Sequence, residues 1–178
     1  MFPVRPVAIT KVSKTFFSAT IPETRSFRCT RSVQVPCVRC YTREVVRGVP
    51  IRTCRTETCS HNEESMCNEI RRSSLKVIAD IHVPSELLAQ RAVFDACSQT
   101  AANLAAVAFS RTLGGVTNLN YDKMSRAIVQ SSTEYQNQLQ LCLRKAFTRQ
   151  IRMMHYINQI RVFASYELNP ISNWERLT

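Results

Sequence analysis

The alternation of apolar and polar residues defines the elements of this chain before any single motif does. Val38 to Val46 is rich in β-branched and aromatic residues, which fit a pleated strand. Arg47-Gly48 follows, with a glycine free to take a positive φ. Val49 to Cys59 then returns with alternating character, so residues 27–67 read as a β-hairpin. Pro50 has no N–H for a ladder, which places it at an edge or beside the turn. Ser60 to Glu69 is polar and acidic and reads as a loop. Val7 to Val12 alternates weakly and reads as a further strand.

From Ser74 to Val83 the period is again two. Val77, Ala79, Ile81 and Val83 share one face, and Lys76, Asp80 and His82 share the other. The period then changes. Pro84-Ser85-Glu86 is a helix start, with Ser85 as cap and Glu86 complementing the dipole. Leu87, Phe94, Ala101 and Ala108 recur every seven residues, with Cys97 and Leu104 as a second seam. Gly114-Gly115 ends this helix through a left-handed residue. Asn120 caps a second helix with Asp122 in its first turn. Its stripe is Ile128, Tyr135, Leu139, Cys142, Ala146 and Phe147, and it runs to about residue 150. Gln159 to Tyr166 alternates as a closing strand, and Trp174 in the tail packs on the body.

These elements predict a single α+β domain over residues 1–178. A cysteine-rich β-hairpin (27–67) and flanking antiparallel strands pack with an antiparallel two-helix hairpin inside a strand–helix–helix–strand segment (74–167).

The cysteines sharpen this picture. Cys29 and Cys67 are equidistant from Gly48, as are Cys37 and Cys59, while Cys40 and Cys54 are equidistant from Arg47. Cys97 and Cys142 flank the segment around Leu119 and Asn120. Antiparallel hairpins bring mirrored positions together, so four pairs are predicted: Cys29–Cys67, Cys37–Cys59, Cys40–Cys54 and Cys97–Cys142. Eight cysteines in mirrored pairs point to an oxidising compartment. The competing chemistry is zinc. Cys37-x2-Cys40 and Cys54-x4-Cys59 supply four thiolates on a ribbon, a zinc-ribbon arrangement suited to nucleic acid. Zinc does not explain the outer pair or the helical pair, so disulfides are the preferred reading and no cofactor is expected.

Charge adds a partner class. The net charge is +11. Arg28, Arg31, Arg39, Arg43, Arg47, Arg52 and Arg55 crowd the hairpin against one acid, Glu44, between positions 28 and 55. Such a surface favours an anionic membrane surface, an acidic protein or, in the zinc reading, nucleic acid. Alternating charges on a hairpin also shield its edges from aggregation, with no ligand involved.

Other classes lose ground. Only 3 glycines are present, too few for phosphate-cradling loops. His61, His82 and His155 form no metal or hydrolase motif, although His82 and His155 fall at mirrored ends of the helical hairpin. No enzymatic activity is expected. Met1 to Pro22 makes a poor secretory signal, because Pro3, Pro6, Lys11 and Lys14 interrupt it, and no glycosylation sequon occurs. The small-residue run Thr100 to Phe109 resembles helical hairpins that insert into lipid, though such a helix also suits a core. The function expected is a non-enzymatic, basic, disulfide-stabilised exported protein, secreted or extracellular, toxin-like or defensive. It would bind an anionic membrane surface or a partner protein. The alternatives are the zinc-ribbon protein and a structural subunit of a larger, viral-type assembly.

Overall fold

A computed structural model describes residues 6–114 and 120–177, without the side chains of 43–46 and 51. In order the elements are β1 (Ile9–Val46), β2 (Val49–Pro84), α1 (Ser85–Leu88), α2 (Arg91–Leu113), α3 (Tyr121–Ala146), α4 (Ile151–Ile157), β3 (Arg161–Pro170) and β4 (Glu175–Arg176). The fold is α+β. The sheet order is β1-β2-β3, with β4 also paired to β2. The chain forms two compact units. One comprises residues up to Thr24 with Ile70–Trp174, and the other comprises Arg25–Glu69 with the segment from Glu175 onward.

The first unit holds the apolar core. β2 and β3 are antiparallel, with Val77 opposite Tyr166 and Ile81 opposite Val162. Leu75, Val77, Ala79, Ile81 and Val83 are all buried, as their alternation predicts. The helices cover this face. α2 buries Phe94, Cys97, Ala101, Ala102, Ala105, Phe109 and Leu113. This set follows the 3.6-residue period of a straight helix instead of the heptad, so Leu104 drifts out to solvent. α3 buries Met124, Ala127, Ser131, Tyr135, Leu139 and Leu143.

Several expectations need correction. The helix predicted from Ser85 is broken at Ala89–Gln90 into α1 and α2. Ser85 does not cap it; its hydroxyl donates to the Ala8 carbonyl and shares a hydrogen bond with Thr10. α3 stops at Ala146, where Phe147 turns into the core, and α4 follows as a separate short helix. Ser60–Glu69 is strand, not loop. Cross-strand partners such as Arg25–Glu69 and Ser26–Asn68 pair its polar side chains, which a ribbon open on both faces accommodates. β1 also runs without a break through residues 13–26, which the alternation did not mark. Phe16 packs on Tyr135 and Phe17 on Phe109, so two consecutive residues reach the helices and the period-two signal fails there, as it does at a bulge.

Other details match the local chemistry. Gly114 closes α2 at φ 66°, and Gly115 and Leu119 lie outside the described residues, as does Pro3. The Asn120 side chain accepts from the Asp122 N–H at the start of α3. Inside the helical pair, Ser98 and Tyr135 share a buried hydrogen bond of 2.6 Å. Burial raises the Tyr135 phenol above its ordinary pKa, and the Ser98 contact only partly opposes that. The Arg71 guanidinium sits 4.5 Å above the Trp174 ring, so the tail is held to this unit.

Candidate functional site

The second unit is built on a different plan. Its strands, residues 25–46 and 49–69, meet at Arg47-Gly48, whose φ values of 51° and 82° match the turn that suits a two-residue hairpin. At ~3.3 Å per residue each arm has a contour of roughly 70 Å. Cys29 is the one buried residue among those described between 25 and 69. A two-stranded hairpin without a covering layer is marginal in water. Three bridges replace the missing core: Cys29–Cys67, Cys37–Cys59 and Cys40–Cys54. The fourth, Cys97–Cys142, joins α2 and α3 in the other unit. These are the mirrored pairs.

Cys37 and Cys40 are three residues apart, and Cys59 and Cys54 are five apart. Both steps are odd, so the two bridges lie on opposite faces of the ribbon. The unequal steps leave β2 with two extra residues between them, a local irregularity of the kind a bulge absorbs. A thiolate site on Cys37, Cys40, Cys54 and Cys59 and these two bridges are mutually exclusive. Among the described residues, no cluster of three or more His, Cys, Asp or Glu side chains is placed to hold a metal.

The arginines divide by environment. Glu57 gathers two of them. Arg55 Nε donates to its Oε1 at 2.7 Å and Arg39 Nε lies 3.8 Å from Oε2. Tyr41 Oη donates to the same carboxylate, and Arg55 stacks over the Tyr41 ring at 5.3 Å. Arg28, Arg31, Arg47 and Arg52 are exposed and have no hydrogen-bond, ion-pair or ring partner among the described residues. The Arg43 side chain lies outside the described residues. Strand alternation puts Arg31 on the side of Cys29 and Cys37, and Arg28 and Arg52 on the side of Cys40 and Cys54, while Arg47 occupies the turn. The free cations therefore surround the ribbon instead of forming one flat face.

Arg31 also lines a recess of about 380 Å³ with Arg176, Ser32, Ser65 and Asn68, and no carboxylate lines it among the described residues. Two guanidinium groups among hydroxyl and amide donors suit a tetrahedral oxyanion. β4 completes this recess: it pairs with β2, and the Leu177 N–H donates to the Asn68 carbonyl at 2.9 Å.

Sequence reasoning missed a second cationic stretch. No acid occurs between Glu134 and Glu167, a signal visible in the chain, and Arg144, Lys145, Arg149 and Arg152 run from the last turn of α3 into α4. Arg144 donates to the Asn158 side chain and Arg152 to the Tyr156 hydroxyl; Lys145 and Arg149 are exposed without partners among the described residues.

Two carboxyl groups are shifted among the described residues, and both make structural contacts. Burial would raise the Glu23 carboxyl, but hydrogen bonds from Arg71 and Ser73 and the Arg71 charge outweigh it and hold it below the ordinary value. Asp80 is lowered by a hydrogen bond from Ser13 and by Lys11, whose ammonium is 3.0 Å away. Each histidine has a partner of its own. His82 packs edge-on to Phe163, His155 bonds Gln159, and His61 contacts Glu63 at 2.9 Å. No helix among the described residues is long and apolar enough to cross a membrane. No protein family, curated protein or solved structure matches the chain.

Proposed function

We propose that this is a non-enzymatic, exported binding protein whose disulfide-stapled ribbon engages an anionic membrane surface. The observation that carries the reading is the contrast between order and core. Three cross-links hold a ribbon that buries almost nothing, and its residues 28–55 carry seven arginines against one acid. Display of those cations gives such a ribbon a use that packing does not. Cations on both faces and on the turn suit an anionic layer that surrounds the ribbon end, such as lipid headgroups. Four bridges also accord with an oxidising compartment, and hence with export as a toxin-like or defensive component.

Co-sedimentation with vesicles tests this. Binding is expected to vesicles containing phosphatidylglycerol, to be absent with phosphatidylcholine alone, and to fall with salt. Replacing Arg28, Arg31, Arg47 and Arg52 by Gln should abolish it. Salt-sensitive binding to single-stranded nucleic acid with no lipid binding would favour the nucleic-acid reading instead. Intact mass decides the cysteine chemistry: four bridges lower the mass of the reduced chain by eight hydrogens, whereas a zinc ribbon adds a metal and leaves thiols.

A further inference from the structure

β3 is an outer strand of the sheet, with β2 as its one strand neighbour among the described residues. The Ile171 N–H donates to the Arg72 carbonyl on β2, whereas the Val162 N–H donates to the Gln136 side chain of α3 at 3.0 Å. Odd-numbered residues of β3 therefore face β2, and even-numbered ones face the open edge. Gln136 covers Val162, and Gln140 Nε2 donates to the Ile160 carbonyl, but among the described residues nothing comparable covers Ala164, Tyr166 or Leu168. Pro170, which has no N–H, ends the edge. Alongside runs a groove of about 370 Å³ between α3 and β3, walled by Tyr121, Ile128, Val129, Ala164 and Tyr166. Tyr121 is 75% exposed, Val129 64% and Tyr166 40%. Free ladder groups beside exposed apolar side chains form a strand-addition site.

The sequence of the strand points to its occupant. We propose that β3 pairs antiparallel with β3 of a second copy of this chain, about a two-fold axis at Ala164. In that register Arg161 faces Glu167 of the second copy, twice by symmetry, on the solvent face of the sheet. Phe163, which is 57% exposed, faces Ser165, a large residue against a small one. On the helical face Val162 meets Tyr166, and Ala164 meets Ala164. The axis is perpendicular to the sheet, so both α3 helices lie on the same side, and Tyr121 and Val129 of each copy come to the joint. The pairing is self-complementary, as an isologous interface must be. Arg161 spends only Nη1 on the carbonyls of Asn158 and Ile160, which leaves Nε and Nη2 for the carboxylate. Gln136 must release the Val162 N–H as the copies join, which makes it a plug on the free edge.

Sedimentation of the oxidised full chain over a concentration series tests the proposal. A monomer–dimer equilibrium is expected. Arg161→Glu alone, or Glu167→Arg alone, should weaken it about tenfold or more, because each creates two like-charge pairs. The double variant R161E/E167R should recover it. Ala164→Pro removes an edge N–H without touching the β2 ladder and should abolish the dimer while leaving the helical circular dichroism unchanged. A chain that stays monomeric at all concentrations overturns the proposal. So does a dimer indifferent to these substitutions, or one weakened by both single changes and not restored by the double.

Discussion

The two units of this protein solve the problem of staying folded by opposite means. The unit of helices and strands buries Phe94, Phe109, Tyr135, Leu139, Ile81 and their neighbours, and carries one bridge. The ribbon buries Cys29 and carries three. Apolar burial acts on the folded state, at roughly 25 cal/mol per Å². A cross-link acts largely on the unfolded state, by shortening the list of conformations it can visit. The difference has a functional consequence. A packed core leaves one face of each element for display, whereas a stapled ribbon can present both faces and its turn. The arginines occupy all three places.

Truncations should separate the two regimes most sharply. Phe109→Ala, at a site with no exposure, is expected to cost about 3–5 kcal/mol in denaturant unfolding. Val38→Ala, at a ribbon position 68% exposed, should change stability by less than about 0.5 kcal/mol. A large loss at Val38 would mean that the ribbon has a packing partner.

Next in size is the bridge inside the cored unit. Replacing Cys97 and Cys142 together by Ala opens a loop spanning 45 residues and should cost about 2–4 kcal/mol. The helices should survive, because the sheet and the Ser98–Tyr135 contact still align them. Retained helical circular dichroism with a lowered midpoint is the expected result. Loss of the helical signal would show that this unit, too, depends on its staple.

The smallest effect concerns acid. Glu23 and Asp80 titrate below their ordinary values in the folded chain. The unfolded state then binds more protons as pH falls through the carboxylate range, so their contribution is full above the unfolded pKa and is lost as pH falls through the folded one. Glu23→Gln should lower stability at neutral pH by roughly 1–2 kcal/mol and flatten the acid side of the profile. Both carboxylates belong to the cored unit, so ribbon protection should not follow that profile.

The bridge pattern and one core face were legible in the sequence. Mirror spacing of the cysteines carries the bridge pattern, because a hairpin converts equal offsets from a turn into contact. The core face of β2 was legible at Val77, Ala79, Ile81 and Val83, where alternation and burial coincide. Ser60–Glu69 was not. Polarity reports that a segment lacks a buried side, and a ribbon exposed on both faces lacks one while remaining strand. The heptad placed Leu104 in a seam, but a helix lying on a sheet keeps a 3.6-residue period and turns that position outward. The break at Ala89–Gln90 has no glycine or proline to announce it. The arginine-rich segment was visible as composition; which arginines are neutralised was not, because Glu57 reaches Arg39 only across the ribbon. The stretch from Arg144 to Arg152 went unread because its signal is an absence of acid, not a cluster of cysteines.

Hydrogen exchange before and after reduction tests most directly the claim that cross-links, and not packing, order the arginine-rich ribbon. With all four bridges intact, amides in residues 25–69 should be protected along the ladder. On reduction they should lose that protection, while the core strands and helices between residues 70 and 170 keep most of theirs. Retained protection of the ribbon after complete reduction, or collapse of both units together, would contradict it.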